Sequence, residues 1–305
     1  MELQITDSEA YRRLFARPLI AFDSVAFNAL NAAKAVRVMH VLLSEGGKTR
    51  FGLIVGERED GCLSAPFSAP FAALEAIGKQ RVEHYVAAAQ ALKEWLRAEG
   101  RAMRLTLPPP CYGEEIARQS AAFLSAGAQL LWADYNYHFQ LSDFPRLDEM
   151  MDSKVRNKLG LARRQGYVFE TSVPLAEAHA VILENHNDRG YPTHLSADDL
   201  EATARIIKID TFGLRKDGEL VAAAIVYRTA ADAAQVIYWG DRPAARAGHP
   251  MHLLAYEVFG HYARHGFRIV DPGPSSSEGI PSPGLCDFKS SIGCRLSLKP
   301  ALRLL

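Results

Sequence analysis

The order of elements along this chain predicts an α/β (α+β) protein of two consecutive units, each a sheet flanked by helices. Three observations carry that expectation. A meander of three strands, then helix, strand, helix and strand, reads once in each half. The 305 residues amount to two domains at roughly 150 residues apiece. A composition 48% apolar and 23% charged is enough for a sizeable core, and it excludes disorder over much of the length.

In the second half, residues 211–215 read as a strand, Lys216-Asp217-Gly218 as a turn and 219–228 as a longer, β-branched strand. A second turn at 229–233 leads to a third strand at 235–239. Met251, Leu254, Ala255, Val258, Phe259, Tyr262 and Ala263 then fall on one face at helical spacing. Pro250 suits the first turn of that helix and Gly266 its stop. A strand at 267–271, a loop rich in Pro, Gly and Ser, a short helix near 286–291 and a strand near 295–299 complete the half.

The first half repeats the order. Residues 36–43 and 51–57 are strands around a turn at Glu45-Gly46-Gly47, and Cys62 opens a third after Asp60-Gly61. Val82, Tyr85, Val86, Ala89, Leu92 and Leu96 share one helix face, which ends at Gly100. A strand at 103–107, a helix at 114–124 and a strand at 129–139 follow. The helix exits share residues as well: 104–110 (Arg-Leu-Thr-Leu-Pro-Pro-Pro) aligns with 268–274 (Arg-Ile-Val-Asp-Pro-Gly-Pro).

Lys plus Arg number 35 and Asp plus Glu also 35, a balance unlike that of a protein that coats nucleic acid. No stable nucleic-acid complex is therefore expected. The start at Met1-Glu2-Leu3-Gln4 lacks the basic and apolar regions of an export signal, and no apolar run approaches the ~20 residues of a bilayer span. A cytoplasmic location without a transmembrane segment is the expectation. Cys62, Cys111, Cys286 and Cys294 stand far apart, so free thiols and no metal site are expected. Cys286 has no His or Asp partner at a recognisable spacing, which favours a core thiol over a nucleophile. P-loop, serine-hydrolase and zincin strings are absent from the sequence.

Between the halves, residues 152–164 read as a helix carrying Lys154, Arg156, Lys158, Arg163 and Arg164. It is either a solvated connecting helix or a cationic wall for a phosphate-bearing or nucleic-acid substrate.

The order of elements is that of the GNAT acyltransferase fold, and two copies in one chain resemble its FemAB-like, peptidyltransferase-type branch. Residues 236–241 (Val-Ile-Tyr-Trp-Gly-Asp), 266–274 and 284–294 (Gly-Leu-Cys-Asp-Phe-Lys-Ser-Ser-Ile-Gly-Cys) look like segments of FemAB-like proteins. Residues 64–71 (Ser-Ala-Pro-Phe-Ser-Ala-Pro-Phe) are similar to a segment in relatives associated with surface-polysaccharide synthesis. The resemblance implies two tandem GNAT-like domains, each a mixed twisted sheet flanked by helices. They would cover 1–148 and 149–305, with the polar, Pro-containing 142–146 between them. It implies an N-acyltransferase with no tightly bound cofactor, using acyl-CoA, acyl-carrier protein or aminoacyl-tRNA as donor. The acceptor would be an amine on a small molecule, sugar, glycan or peptide. A non-catalytic binding module that keeps the fold is the alternative.

In a GNAT fold two parallel strands splay apart, leaving backbone groups for an amide-bearing donor arm. The helix after the first of them aims its N-terminus at the gap, where a pyrophosphate is favoured. Strands 235–239 and 267–271 take those places, so 149–305 is the expected catalytic domain. Arg246 and Gly248 in the 242–249 loop partly match the Arg/Gln-x-x-Gly-x-Gly/Ala string of acetyl-CoA users, without its full spacing. With His249 and Tyr238 they form the expected donor-binding set, a plain surface turn being the other reading. Asp271, Asp241, His194 and Lys289 are the candidates for chemistry. Asp271 ends its strand where the first half has Leu107, and it either caps the following loop or serves the acceptor or a proton relay. Asp241 lies near the helix entrance, where it could take the acceptor's proton. His194, in a turn-like string, has histidine's suitability near neutral pH or is surface decoration. Lys289 corresponds to a lysine that recurs in FemAB-like proteins, and could hold a phosphate or an oxyanion or be a helix-surface lysine. Trp239, Tyr135, Tyr137, His138, Arg156 and Lys158 are the expected acceptor contacts, the first half shaping the groove.

Overall fold

The computed structural model describes residues 1–305, which form two compact units. The first holds Met1–Tyr135, Ser276–Ile280 and Ser297–Leu305, and the second Asn136–Ser275 and Pro281–Leu296. Each is a mixed sheet flanked by helices.

The first unit opens with β1 (Glu2–Thr6), α1 (Ser8–Leu14) and α2 (Val25–Leu30). β2 (Arg37–Glu45) and β3 (Lys48–Glu57) follow as an antiparallel hairpin closed by the Glu45–Lys48 pair. Its two turn residues, Gly46 at φ 57° and Gly47 at φ 73°, are both left-handed, the geometry that continues the strands' twist. Next come β4 (Leu63–Ala65), β5 (Glu75–Ala76), α3 (Val82–Ala98), β6 (Met103–Thr106) and α4 (Glu114–Ser125). β4 runs parallel to β6. The expected stripe of α3 is its inner face: Tyr85, Ala89, Leu92 and Leu96 are buried in one core with Leu53, Leu105 and Phe123. Burial of each such leucine contributes about 1.5–3 kcal/mol. β7 (Gln129–Gln140) begins in this unit and ends in the second.

In the second unit a 3-10 turn, Leu141–Arg146, contains residues 142–146 and leads to α5 (Leu147–Met150) and the basic α6 (Ser153–Arg163). β8 (Val168–Glu170), α7 (Leu175–Arg189) and α8 (Ala197–Ala204) precede the meander of β9 (Ile209–Lys216), β10 (Glu219–Ala230) and β11 (Ala233–Asp241). The β9–β10 turn repeats the first unit's device, with Asp217 at φ 50° and Gly218 at φ 83° between paired Lys216 and Glu219. α9 (Pro250–Arg264) has Pro250 in its first turn and left-handed Gly266, φ 73°, just beyond its end. Its Phe259 stacks on Phe139 with centroids 4.4 Å apart. β12 (Ile269–Pro274), the β13 (Ser276–Ser277) and β14 (Ile280–Pro281) pair, α10 (Pro283–Ser291) and β15 (Arg295–Leu304) complete the chain.

Of the boundaries that differ from the sequence expectation, two have a cause in backbone hydrogen bonds. The strand placed at 267–271 starts at Ile269, because the Phe267 N–H closes the helix exit on the Tyr262 carbonyl, and it runs on to Pro274. The last strand does not stop near 299. Residues 301–304 pair with β6, and Leu302 and Leu304 enter the first unit's core. Pro300 reads as a strand stop, yet its carbonyl accepts from Leu107 N–H and pairing resumes after it.

Candidate functional site

β11 and β12 are parallel neighbours for only three positions, Ala233–Ile269, Ala234–Val270 and Gln235–Asp271. Beyond them β11 continues along β10, while Gly273 and Pro274 of β12 pair with Tyr137 and Asn136 of β7. The strands therefore part at Gln235 and Asp271. The cause is local: Pro272 has no N–H for a ladder, and Gly273 at φ 77° forms a bulge against β7.

Asp271 is fully buried at this point. Its carboxylate accepts from Asn136 Nδ2 at 2.8 Å, Gln235 Nε2 at 3.2 Å and the Gly273 N–H at 2.8 Å. Lys289, also buried, reaches from α10 and donates to the carbonyls of Gly273 and Pro274, each at 2.9 Å. The N–H and the carbonyl of Gly273 are thus both held by charged side chains. Because Asp271 takes the amide nitrogens of Asn136 and Gln235, their carbonyl oxygens turn away from it. Asn136 Oδ1 and Gln235 Oε1 are buried without a hydrogen-bond partner, and so is Ser275 Oγ. Two of these atoms, Asn136 Oδ1 and Gln235 Oε1, belong to the amides that hold Asp271 where the strands part, and orphan acceptors so placed call for a ligand or water.

Tyr137 lies under the same group, with Lys289 Nζ 6.0 Å from its ring centroid. Burial raises its hydroxyl's pKa, the Ser290 hydrogen bond lowers it and the one with Cys286 raises it again, so it keeps its proton at neutral pH. On the β11 side, Trp239 meets Phe288 edge to face at 5.8 Å, and Phe288 meets His252 of α9 at 5.5 Å. α10 therefore spans the opening, with Lys289 on β12 and Phe288 on β11's Trp239. His252 is pushed down to about 4, by burial first and then by the charges of Lys158 and His249. Lys158, exposed on α6, is in this way a neighbour of the N-terminal turn of α9.

The other candidates sit elsewhere. Asp241 is buried, with its carboxyl raised by desolvation against the lowering effect of Arg246. Asn185 donates to its Oδ1 and its carbonyl, each at 2.8 Å, an approach that Gly240 permits because a Cβ there would meet Asn185 at 2.8 Å. Arg246 is committed to Asp241 at 3.3 Å and Asp188 at 2.6 Å. Gly248 faces Tyr167, whose hydroxyl would lie 2.1 Å from an added Cβ. His249 occupies the left-handed region, φ 54°, as it enters α9. Arg246 is thus ion-paired with two carboxylates while its Nη2 is buried without a hydrogen-bond partner, and Gly248 lies against Tyr167 on the wall of a cavity of about 300 Å³. Exposed His194 donates its backbone N–H to the Tyr238 hydroxyl at 3.1 Å. In the first unit, Tyr135 N–H donates to Ser276 Oγ at 2.8 Å. His138 is held below its ordinary value by burial and by Arg295 and Arg268. Arg156 donates to the carbonyls of Asp148 and Met151, closing the α5–α6 junction. No group of three or more His, Cys, Asp or Glu side chains is placed to hold a metal ion, and no helix is long and apolar enough to cross a membrane.

Residues 153–290, which contain both splayed strands, match the family model described as an acetyltransferase (GNAT) domain. This segment is similar to a GNAT domain and has its strand layout. The GNAT fold also accounts for the chain around it. The crystal structure of FemX aligns over 100% of this chain and 97% of its own, at a TM-score of 0.71 and 11% identity. The C-terminal domain of a putative lysylphosphatidylglycerol synthetase from Agrobacterium fabrum aligns over 98% and 93%, at 0.65 and 15%. A tandem GNAT protein from the clavulanic acid biosynthesis pathway aligns over 99% and 97%, at 0.54 and 14%. At these identities the likeness is one of fold alone, the fold of FemX and of a tandem GNAT protein. No curated protein sequence matches the chain.

Sequence reasoning passed over Gln235, Asn136, Ser275 and Phe288. A signal existed for the first two. Gln235 and Asn136 are amides inside runs otherwise apolar or aromatic, the kind of buried polar residue that needs a partner. Their partner, Asp271, is 36 and 135 residues away, so only the fold joins them.

Proposed function

We propose that the chain transfers an acyl or aminoacyl group from an activated thioester or ester to an amine, with the donor held between β11 and β12. The observation that carries this reading is the strand opening with two orphan acceptors, Gln235 Oε1 and Asn136 Oδ1, on the amides that hold Asp271. Such atoms suit the N–H groups of an amide-bearing donor arm or the acceptor amine itself. Asp271 and Lys289 are positioning residues: they lock the two amides and the Gly273 bulge. In the reaction the amine nitrogen forms a bond to the acyl carbon as the C–S or C–O bond breaks. Tyr137 gives its proton to the leaving group and receives the one released by the amine, so the hydroxyl is restored.

The two carboxylates on Arg246 reduce the net charge that this turn offers a pyrophosphate, leaving Arg246 Nη2 as an unused donor. Lys158 beside the start of α9 is the cation available there, and α6 extends it as a basic face suited to a carrier protein or charged tRNA. A sugar, glycan or peptide amine belongs to this reading as acceptor, as does work in the cytoplasm on surface polysaccharide. The same reduced charge favours the second reading, a binding module without donor chemistry. Thermal-shift measurements with acetyl-CoA, acyl-carrier protein and aminoacyl-tRNA separate the two. One donor class should stabilise the protein, and Gln235→Ala with Asn136→Ala should abolish the shift. Silence with every donor would leave the binding module.

A further inference from the structure

The first unit contains a cavity of about 680 Å³ that uses none of the residues at the strand opening. This volume falls within the ~300–1,000 Å³ of small-molecule sites. Arg104, Arg303, Arg101, Cys62 and Leu131 contribute to its wall.

Arg104 on β6 stands directly opposite Arg303 on β15 in the antiparallel ladder. Side chains so placed have Cβ atoms about 4.5–5.5 Å apart, and like charges there destabilise a sheet. A compensating carboxylate is the ordinary remedy. Neither guanidinium has one: no ion pair or side-chain hydrogen bond involves Arg104 or Arg303, although Asp60 and Glu99 line the same cavity. Arg101 differs, because its guanidinium donates to Glu57 at 2.9 Å. Leu131, 40% exposed, adds an apolar surface between polar groups.

Two forked cations held side by side without an anion match the acceptor geometry of a phosphate. We propose that the Arg104–Arg303 pair binds a small phosphorylated ligand, with the phosphate between the guanidiniums and the ligand body against Leu131. Hydroxyl or amine groups on that body would meet Asp60 and Glu99. The same headgroup chemistry could come from a free metabolite or from a lipid.

Cys62, partly exposed on the cavity wall, is a built-in reporter. Iodoacetamide labelling of the whole protein, read by peptide mass spectrometry, is measured with inorganic phosphate, phosphoethanolamine, glucose 6-phosphate and phosphatidylcholine vesicles with or without phosphatidylglycerol. At ten times its Kd a ligand of this site should slow Cys62 labelling roughly tenfold, by mass action. Protection by a soluble phosphate ester identifies a free ligand, and protection by phosphatidylglycerol vesicles alone identifies a lipid headgroup. Arg104→Gln and Arg303→Gln should each weaken binding roughly tenfold or more, since each removes charge-assisted hydrogen bonds. Without ligand both variants should melt at the same or a higher temperature, because a repulsion is relieved. The proposal is overturned if no probe protects Cys62, if protection survives both substitutions, or if both variants melt lower, which would make the arginines structural.

Discussion

Asp271 and Lys289 each fix part of the β11–β12 opening, the one through the amides of Asn136 and Gln235, the other through the carbonyls of Gly273 and Pro274. Replacing Asp271 with Asn turns one acceptor oxygen into a donor facing the N–H groups of Gly273, Asn136 and Gln235. Asp271→Asn should therefore lose about 1–3 kcal/mol of stability, as expected for buried donors left unpaired. Lys289→Ala strands the Gly273 and Pro274 carbonyls in the same way. Both variants should keep the fold, by circular dichroism, and lose roughly tenfold or more in kcat with a working donor. Full turnover in both would remove them from the site. A second residue-scale prediction concerns Glu75, whose carboxyl burial pushes up to about 7 from an ordinary 4.5 despite bonds from the Leu19 and Ile20 N–H groups. Asp23, fully buried and raised by burial and by Glu75, is its neighbour. A raised carboxyl is bound to its proton more tightly in the folded chain, so its stabilisation is full below pH 4.5 and is lost as pH rises through about 7. His252, held down to about 4, acts oppositely, losing stability as pH falls below its ordinary 6.5. The Tm of Glu75→Gln, compared with that of the parent, should fall less between pH 4.5 and 7. Parallel melting curves would show that Glu75 does not titrate in that window.

At the scale of an element, α6 divides its charges between two jobs. Arg156 serves the chain itself, bonding the Asp148 and Met151 carbonyls, whereas Lys158 is exposed near His252 and the start of α9. Arg156→Ala should consequently lower Tm, through loss of charge-assisted bonds worth roughly 1–2 kcal/mol at a partly exposed junction. Lys158→Ala should leave Tm unchanged, raise the donor KM and flatten its salt dependence, because the contact it loses is screened. Equal KM values at low salt would return the helix to a solvated surface. The paired hairpins, closed at Gly46-Gly47 and Asp217-Gly218, illustrate elements that local rules suffice to specify. Left-handed conformations are needed at both turn positions, and both sequences supply residues able to adopt them.

For the whole molecule, the first unit borrows Ser297–Leu305 from the end of the chain. Deleting 297–305 should remove the partner of β6 and expose Met103 and Leu105, so the shortened protein should aggregate or melt well below the parent. Unchanged melting would mean that β15 contributes little. This borrowing bears on what was legible in the sequence. Apolar periodicity, turn residues and the helix bounds at Pro250 and Gly266 depend on neighbours within a few positions, so the meanders, α3 and α9 could be read directly. The twofold order of elements, and with it the GNAT layout, followed from those local signals. Asp271 could be singled out because a charge ending an apolar strand is conspicuous, and Lys289 through its resemblance to a lysine of FemAB-like proteins. What they do could not be, since Asn136 and Gln235 reach Asp271 from neighbouring strands that only the sheet's register brings together. Arg246 likewise matched a phosphate-binding string, but Asp188 and Asp241, distant and near in sequence, neutralise it in space. The sequence by itself determined the elements, their order and the chemistry available to each. Tertiary structure decided which charges are satisfied, because an ion pair depends on distance in space, and a linear string carries no such distance beyond its own turn or strand.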